Sequence, residues 1–180
     1  MSPETHRDLL LAILKRESWV PGRVKLASGR MSDFYIDVRK SAFLPEAAFL
    51  IGEALFPRVR ALDVRAVGGM AVGAIPLVDA VVHASHHAGA PIPGFFVRKE
   101  TKEHGLGRKI EGRFERGWRV VILEDVVTSG ESALGAADAV EASGGIVAGV
   151  VALVDRLEGG AEAIRARGYP FESVYTRKDF

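Results

Sequence analysis

A chain of 180 residues is long enough to bury a full core and short enough for one domain. With 48% apolar and 26% charged residues and no run long enough to span a membrane, it reads as a soluble globular protein. A net charge of +1 gives no electrostatic reason to expect nucleic-acid or membrane partners, and the absence of cysteine excludes disulfides, thiolate metal sites and a cysteine nucleophile.

The spacing of Leu9, Leu10, Ile13 and Leu14 predicts a helix over 5–19, ended by Pro21-Gly22. Two short strands, 24–28 and 34–38, form a hairpin around Ser28-Gly29-Arg30. A helix over 45–56 carries Pro45 in its first turn. Strand 64–68 ends in Gly68-Gly69, and helix 75–87 follows. Strand 92–97 is apolar, and 98–113 has no apolar period and reads as a loop. Strand 119–123 leads to a helix over 131–143, closed by Gly144-Gly145 as helix ends prefer. Strand 146–154, helix 161–167 and strand 171–175 complete the chain. Strands alternating with helices from about residue 60 imply an α/β fold, a parallel sheet flanked by helices. The first forty residues break that rhythm. They form a helix-plus-hairpin hood over one edge of the 60–180 core, within a single domain over 1–180.

The most informative stretch is Val120 to Ser132. Four apolar residues run into Glu124 and Asp125, then Val126 and Val127, then Thr128, Ser129 and Gly130, then Glu131 and Ser132 opening an Ala-rich helix. In an open parallel sheet, ligands bind at the carboxyl ends of strands. A helix N-terminus offers free N–H groups to an anion, and hydroxyls with a glycine let a phosphate come close. Two carboxylates would repel that phosphate. Ionised carboxylates only accept hydrogen bonds, so vicinal sugar hydroxyls are their natural partners. Phosphate beside a diol means a ribose 5-phosphate. Helix capping accounts for Thr128 or Ser129, but not for the acidic pair.

Residues Arg98 to Arg113 hold six basic residues, three acidic residues, His104 and three glycines. Structureless loops beyond about 12–15 residues in compact domains are commonly lids or binding loops. Gly105, Gly107 and Gly112 supply mobility, and Arg98, Lys99, Lys102 and His104 supply donors for a leaving diphosphate.

The 120–132 stretch resembles the PRPP-binding signature of the type I phosphoribosyltransferases. Phe95 to Gly105 is similar to the catalytic loop of one branch, the orotate phosphoribosyltransferases. That resemblance implies transfer of the phosphoribosyl group from PRPP to orotate, giving orotidine 5′-monophosphate and diphosphate. It implies Mg²⁺ carried by PRPP rather than by protein ligands. It implies a homodimer in which the lid acts in trans, with Lys102 the main catalytic cation beside His104 and Asp125. Residues Lys25 to Asp37 are similar to the family's N-terminal segment, where the lysine reaches substrate and an aromatic pair, here Phe34 and Tyr35, contacts orotate. Adjacent strand residues point to opposite faces, so one ring can enter the core while the other walls the base. Arg156, at the exit of strand 146–154, matches the orotate-binding arginine, and its fork suits a carboxylate. Thr128 is assigned to the base pocket as well. Gly68 to Pro76 fits the family's pyrophosphate loop, except that Gly73 stands where many relatives carry lysine.

Two other functions fit parts of this pattern: a PRPP-dependent transferase for another base, and a PRPP-sensing regulator without turnover. The regulator would tolerate loss of the lid cations, yet Arg98, Lys99, Lys102 and His104 are all present. Asp79, His83 and His87 lie at four-residue spacing, a zinc-like stripe better explained by histidines near a helix C-terminus. No signal peptide is visible, so a cytoplasmic location is expected. The chain has no Asn and no Gln, and Arg far outnumbers Lys, a thermophile-like bias.

Overall fold

The computed structural model describes residues 3–25, 31–100 and 109–180, the side chains of 3–4, 21, 23–25 and 31–33 excepted. At its centre is a four-stranded parallel sheet in the order β3 (Ala66–Gly68), β6 (Arg119–Val127), β7 (Ile146–Asp155), β8 (Phe171–Thr176). A hairpin of β4 (Phe95–Val97) and β5 (Ile110–Gly112) joins beyond β3 through single parallel bridges, Val67 to Gly94 and Met70 to Val97. Residues of β6 and β7 alternate between two buried clusters, as a period of two requires. Val121, Leu123, Val151 and Leu153 pack with α3 (Pro45–Ala61) and α4 (Ile75–His87). Val120, Ile122, Val150 and Ala152 pack with α5 (Glu131–Ala142) and α6 (Gly160–Ala166). The sheet is therefore covered on both faces, which is why its central strands are nearly all apolar.

The N-terminal segment joins the first cluster through Leu10, Ile13, Leu14, Phe34 and Ile36. Helix α1 (Pro3–Ile13) lies beside β8, where the Tyr175 hydroxyl donates to the Arg7 carbonyl at 2.6 Å and Arg7 pairs with Asp179 at 2.9 Å. Burial pushes the Tyr175 phenol well above its usual range.

Several boundaries differ from the sequence reading. The first helix stops at Ile13 and finishes in a π turn over Leu14–Ser18. Strand β1 starts at Trp19 and runs through Pro21 to Lys25, pairing with β2 (Met31–Ile36) across a register shift between Pro21 and Val24. Proline is tolerated at such an irregularity. A short helix α2 (Val38–Ala42) replaces the end of the expected second strand. The third helix continues past Phe56 to Ala61 with Pro57 inside it. The end of the expected loop 98–113 is strand: β5 pairs antiparallel with β4. Strand β6 does not stop at Leu123. Its parallel ladder continues to Val127 opposite Asp155, so the two carboxylates lie inside the strand.

Candidate active site

A cleft of about 860 Å³ opens at the carboxyl end of the sheet, within the usual size range of small-molecule sites. Four segments line it. The exit of β6 and the start of α5 give residues 124–133, the loop after β3 gives 70–73, β2 and the α2 that follows it give Tyr35, Asp37 and Arg39, and the exit of β7 gives Arg156. Lys99, at the start of the 98–113 segment, completes it.

The turn between β6 and α5 owes its shape to two glycines. Gly130 has φ +81°, which glycine adopts freely. A Cβ on Gly160, at the start of α6, would lie 2.6 Å from the Thr128 carbonyl oxygen and 2.9 Å from the Gly130 nitrogen. The turn and α6 thus meet backbone to backbone. The Leu134 N–H donates to the Gly130 carbonyl at 2.9 Å, making the amides of residues 131–133 the first turn of α5, free of intrahelical partners.

Glu124 is 6% exposed, and among the described residues its Oε2 finds no hydrogen-bond partner. Burial, reinforced by the Asp125 charge, raises its carboxyl well above the usual range; Lys99 opposes this. Burial also raises Asp125, but the Glu124 proton, the Val126 N–H and Arg39 pull the other way. Burial thus disfavours charge most strongly at Glu124, while Asp125 is the member with neighbours that favour its charged form. That carboxylate lies against the loop after β3: a Cβ on Gly73 would sit 2.7 Å from Asp125 Oδ1. Two backbone hydrogen bonds hold this loop to β4, Ala71 N–H to the Val97 carbonyl at 2.7 Å and Val97 N–H to the Gly69 carbonyl at 2.8 Å.

At the opposite end, Arg156 is only 3% exposed. Its Nε donates to Glu158 Oε1 at 3.0 Å and its guanidinium lies 4.5 Å from the centre of the Phe34 ring. The Arg156 N–H donates to the Val127 carbonyl at 3.0 Å, tying the exits of β7 and β6 together. Arg156 is thus no surface cation, although the pairing with Glu158 is present. The aromatic pair divides as strand alternation requires. Tyr35 lines the cleft, whereas Phe34 is 2% exposed and stacks on Trp19 with centroids 4.5 Å apart. Phe34 does not reach the cleft; its place is beneath Arg156.

The expected residues Tyr35, Lys99, Glu124, Asp125, Val126, Val127, Thr128, Ser129, Gly130, Glu131, Ser132 and Arg156 share this cleft. Arg98 does not: it pairs with Glu111 of β5 at 3.1 Å. Lys102 and His104 lie outside the described residues, as does the side chain of Lys25. Asp37 and Arg39 are additions that sequence reasoning missed, since an Asp-Val-Arg triplet carries no signal until the N-terminal segment folds against the sheet.

No protein-family model matches the chain. It is 46% identical over 179 residues to the orotate phosphoribosyltransferase of Sorangium cellulosum (strain So ce56), covering 98% of this chain and 93% of that one. The chain belongs to the orotate phosphoribosyltransferase family. Members of this family are pentosyltransferases. Among solved structures, orotate phosphoribosyltransferase of Mycobacterium tuberculosis H37Rv superposes with a TM-score of 0.86 at 43% identity, covering 97% of this chain and 98% of that one. The same mycobacterial protein in complex with PRPP gives a TM-score of 0.82 at 39% identity over the same shares of the two chains. The α/β architecture described above is this family's fold.

Proposed function

We propose that this cleft is where the chain carries out its family's reaction. It transfers the 5-phosphoribosyl group from PRPP to orotate, giving orotidine 5′-monophosphate and diphosphate, a step of pyrimidine biosynthesis. The observation that carries the reading is the convergence of the 124–132 segment, the 70–73 loop, Lys99, Tyr35 and Arg156 on one cleft. The mycobacterial relative's complex with PRPP supports it.

The roles follow from charge and reach. The amides opening α5, with Thr128 and Ser129, hold the 5-phosphate at a helix N-terminus. Asp125, the member of the acidic pair whose neighbours favour its charged form, accepts from the ribose hydroxyls, with Glu124 beside it. Arg156 receives the orotate carboxylate, with Tyr35 and Thr128 beside the ring, and Phe34 supports Arg156 from below. Lys99 and the 70–73 loop face the diphosphate. Lys25, Arg98, Lys102 and His104 add donors, the last two from a lid that closes over a partner copy's cleft in a homodimer. Exposed Phe43 and Phe49 are apolar surface that such a dimer would cover. The donor set fits Mg²⁺ brought in by PRPP, with the carboxylates of Asp125 and Glu124 lining the same cleft. When bound, Mg²⁺ neutralises charge on the departing diphosphate. Stabilising charge at the leaving group is what this chain's cations contribute, with no covalent intermediate. The chain works as a single domain. A cysteine-free sequence suits the cytoplasm, and the missing amide residues suit a warm habitat.

The test is diphosphate release from PRPP and Mg²⁺ with orotate, adenine, hypoxanthine and uracil supplied separately. Turnover with orotate alone is expected. Turnover with another base would overturn the assignment of Arg156, and tight PRPP binding without turnover on any base would favour a sensor.

A further inference from the structure

The loop after β3 is expected to receive diphosphate, yet Met70, Ala71, Val72, Gly73 and Ala74 carry no charge. Nor is there room to restore one simply, because Gly73 lies against the Asp125 carboxylate. Positive charge must come from elsewhere. Three cations among the described residues line the cleft, and Arg156 stands at the base end. That leaves Lys99 at the lid root and Arg39, which the N-terminal segment brings in.

Arg39 is built to stay where it is. Its Nε and Nη2 donate to the two carboxylate oxygens of Asp37 at 2.8 and 3.1 Å. Asp37 is anchored by its own N–H, which donates to the Ser18 carbonyl at 2.9 Å, and α2 is pinned by buried Val38, Ser41 and Ala42. An Asp–Arg pair so exposed adds little to stability, so the clamp is poorly explained as a fold device. Among the described residues, Nη1 makes no hydrogen bond. Arg39 is also near enough to Asp125 for its charge to favour the ionised carboxylate. Asp125 touches Gly73, so the guanidinium, the carboxylate and the uncharged loop share one end of the cleft.

We propose that Arg39 is a diphosphate-binding residue, whose fixed guanidinium supplies from the N-terminal segment the charge that the 70–74 loop lacks. A guanidinium fork suits phosphate oxygens better than a mobile ammonium does. The proposal rests on the reading that places the diphosphate of PRPP beside this loop.

Binding of inorganic diphosphate and of orotidine 5′-monophosphate, each with Mg²⁺, is measured by calorimetry on the full chain. The variants are Arg39→Ala, Arg39→Lys and Lys99→Ala. Arg39→Ala is expected to weaken diphosphate about ten- to a hundredfold, the value of a charge-assisted contact, and to weaken the nucleotide, which feels Arg39 only through Asp125, by no more than about threefold. Arg39→Lys, which keeps charge but not the fork, falls between. Equal weakening of both ligands would mean a structural role and overturn the proposal. Unchanged diphosphate affinity in Arg39→Ala would overturn it as well. In that case a loss in Lys99→Ala would leave the diphosphate where it was placed, whereas no loss in either variant would remove the placement too.

Discussion

The sharpest structural demand on this site falls on a residue outside the lining of the cleft. In Gly160→Ala, the new Cβ would meet Val127 Cγ1 at 2.5 Å, the Thr128 oxygen at 2.6 Å and the Gly130 nitrogen at 2.9 Å. Two of these are backbone atoms of the phosphate turn, so no rotamer change relieves the clash. The turn must withdraw by roughly 0.8 Å to restore ordinary contact. Overpacking of this kind costs about 1–3 kcal/mol. For a domain of this size that lowers Tm by roughly 2–12 °C. The functional effect should be larger than the loss of stability implies, because a displacement of about 1 Å in a positioning element costs on the order of a hundredfold in rate. Scanning calorimetry gives the first quantity, and initial rates with PRPP varied at saturating orotate give the second. The expected outcome is a lowered Tm with kcat/KM for PRPP reduced by about one to two orders of magnitude. A Tm within about 1 °C of wild type and an unaltered kcat/KM would show that the turn and α6 are not packed as described.

Gly73→Ala tests the acidic end. A methyl 2.7 Å from Asp125 Oδ1 forces that carboxylate away, and nucleotide affinity should fall about tenfold; an unchanged affinity would remove Asp125 as the ribose acceptor. Glu124 sets a pH dependence. Its folded-state carboxyl is raised well above the usual 4.5, so the folded chain holds a proton that the unfolded chain has lost, and stability falls as pH rises from about 4.5 through the raised value. Glu124→Gln should flatten Tm against pH in that window, leaving the contribution of Asp125, which is raised as well; parallel curves would contradict the buried protonated form. Lys102→Ala should reduce turnover by about a hundredfold or more while PRPP affinity moves only a few-fold, and equal losses in both would sink its transition-state role.

Much of this site was legible because its chemistry is contiguous. The strand, acidic pair, hydroxyls and glycine of 120–132 follow one another along the chain, and the helix over Ile75–His87 has the bounds that its sequence predicted. What was not legible depends on contacts distant in sequence. The end of β6 was hidden because its last rungs hold Glu124 and Asp125, which look like the end of a strand until β7 pairs with them as far as Asp155. Alternation showed that one of Phe34 and Tyr35 enters the core, but only Trp19, fifteen positions earlier, decides that it is Phe34. Arg39 enters the cleft because β2 and α2 fold back beside the sheet, which no local pattern records. Strand β5 has a single apolar residue, Ile110, and exists because β4 offers it an edge.

The attachment of the 98–113 segment has an evolutionary side. Its neck is closed by main-chain hydrogen bonds: the β4–β5 ladder, the Arg98 N–H to the Lys109 carbonyl at 2.8 Å, and the Arg113 N–H to the Gly94 carbonyl at 2.8 Å. Main-chain bonds do not depend on side-chain identity. The clasp thus places little demand on which side chains stand at Lys109 or Arg113, and these positions can vary without opening it. Lys109→Ala, which keeps the carbonyl that closes the neck, should leave thermal stability where it was.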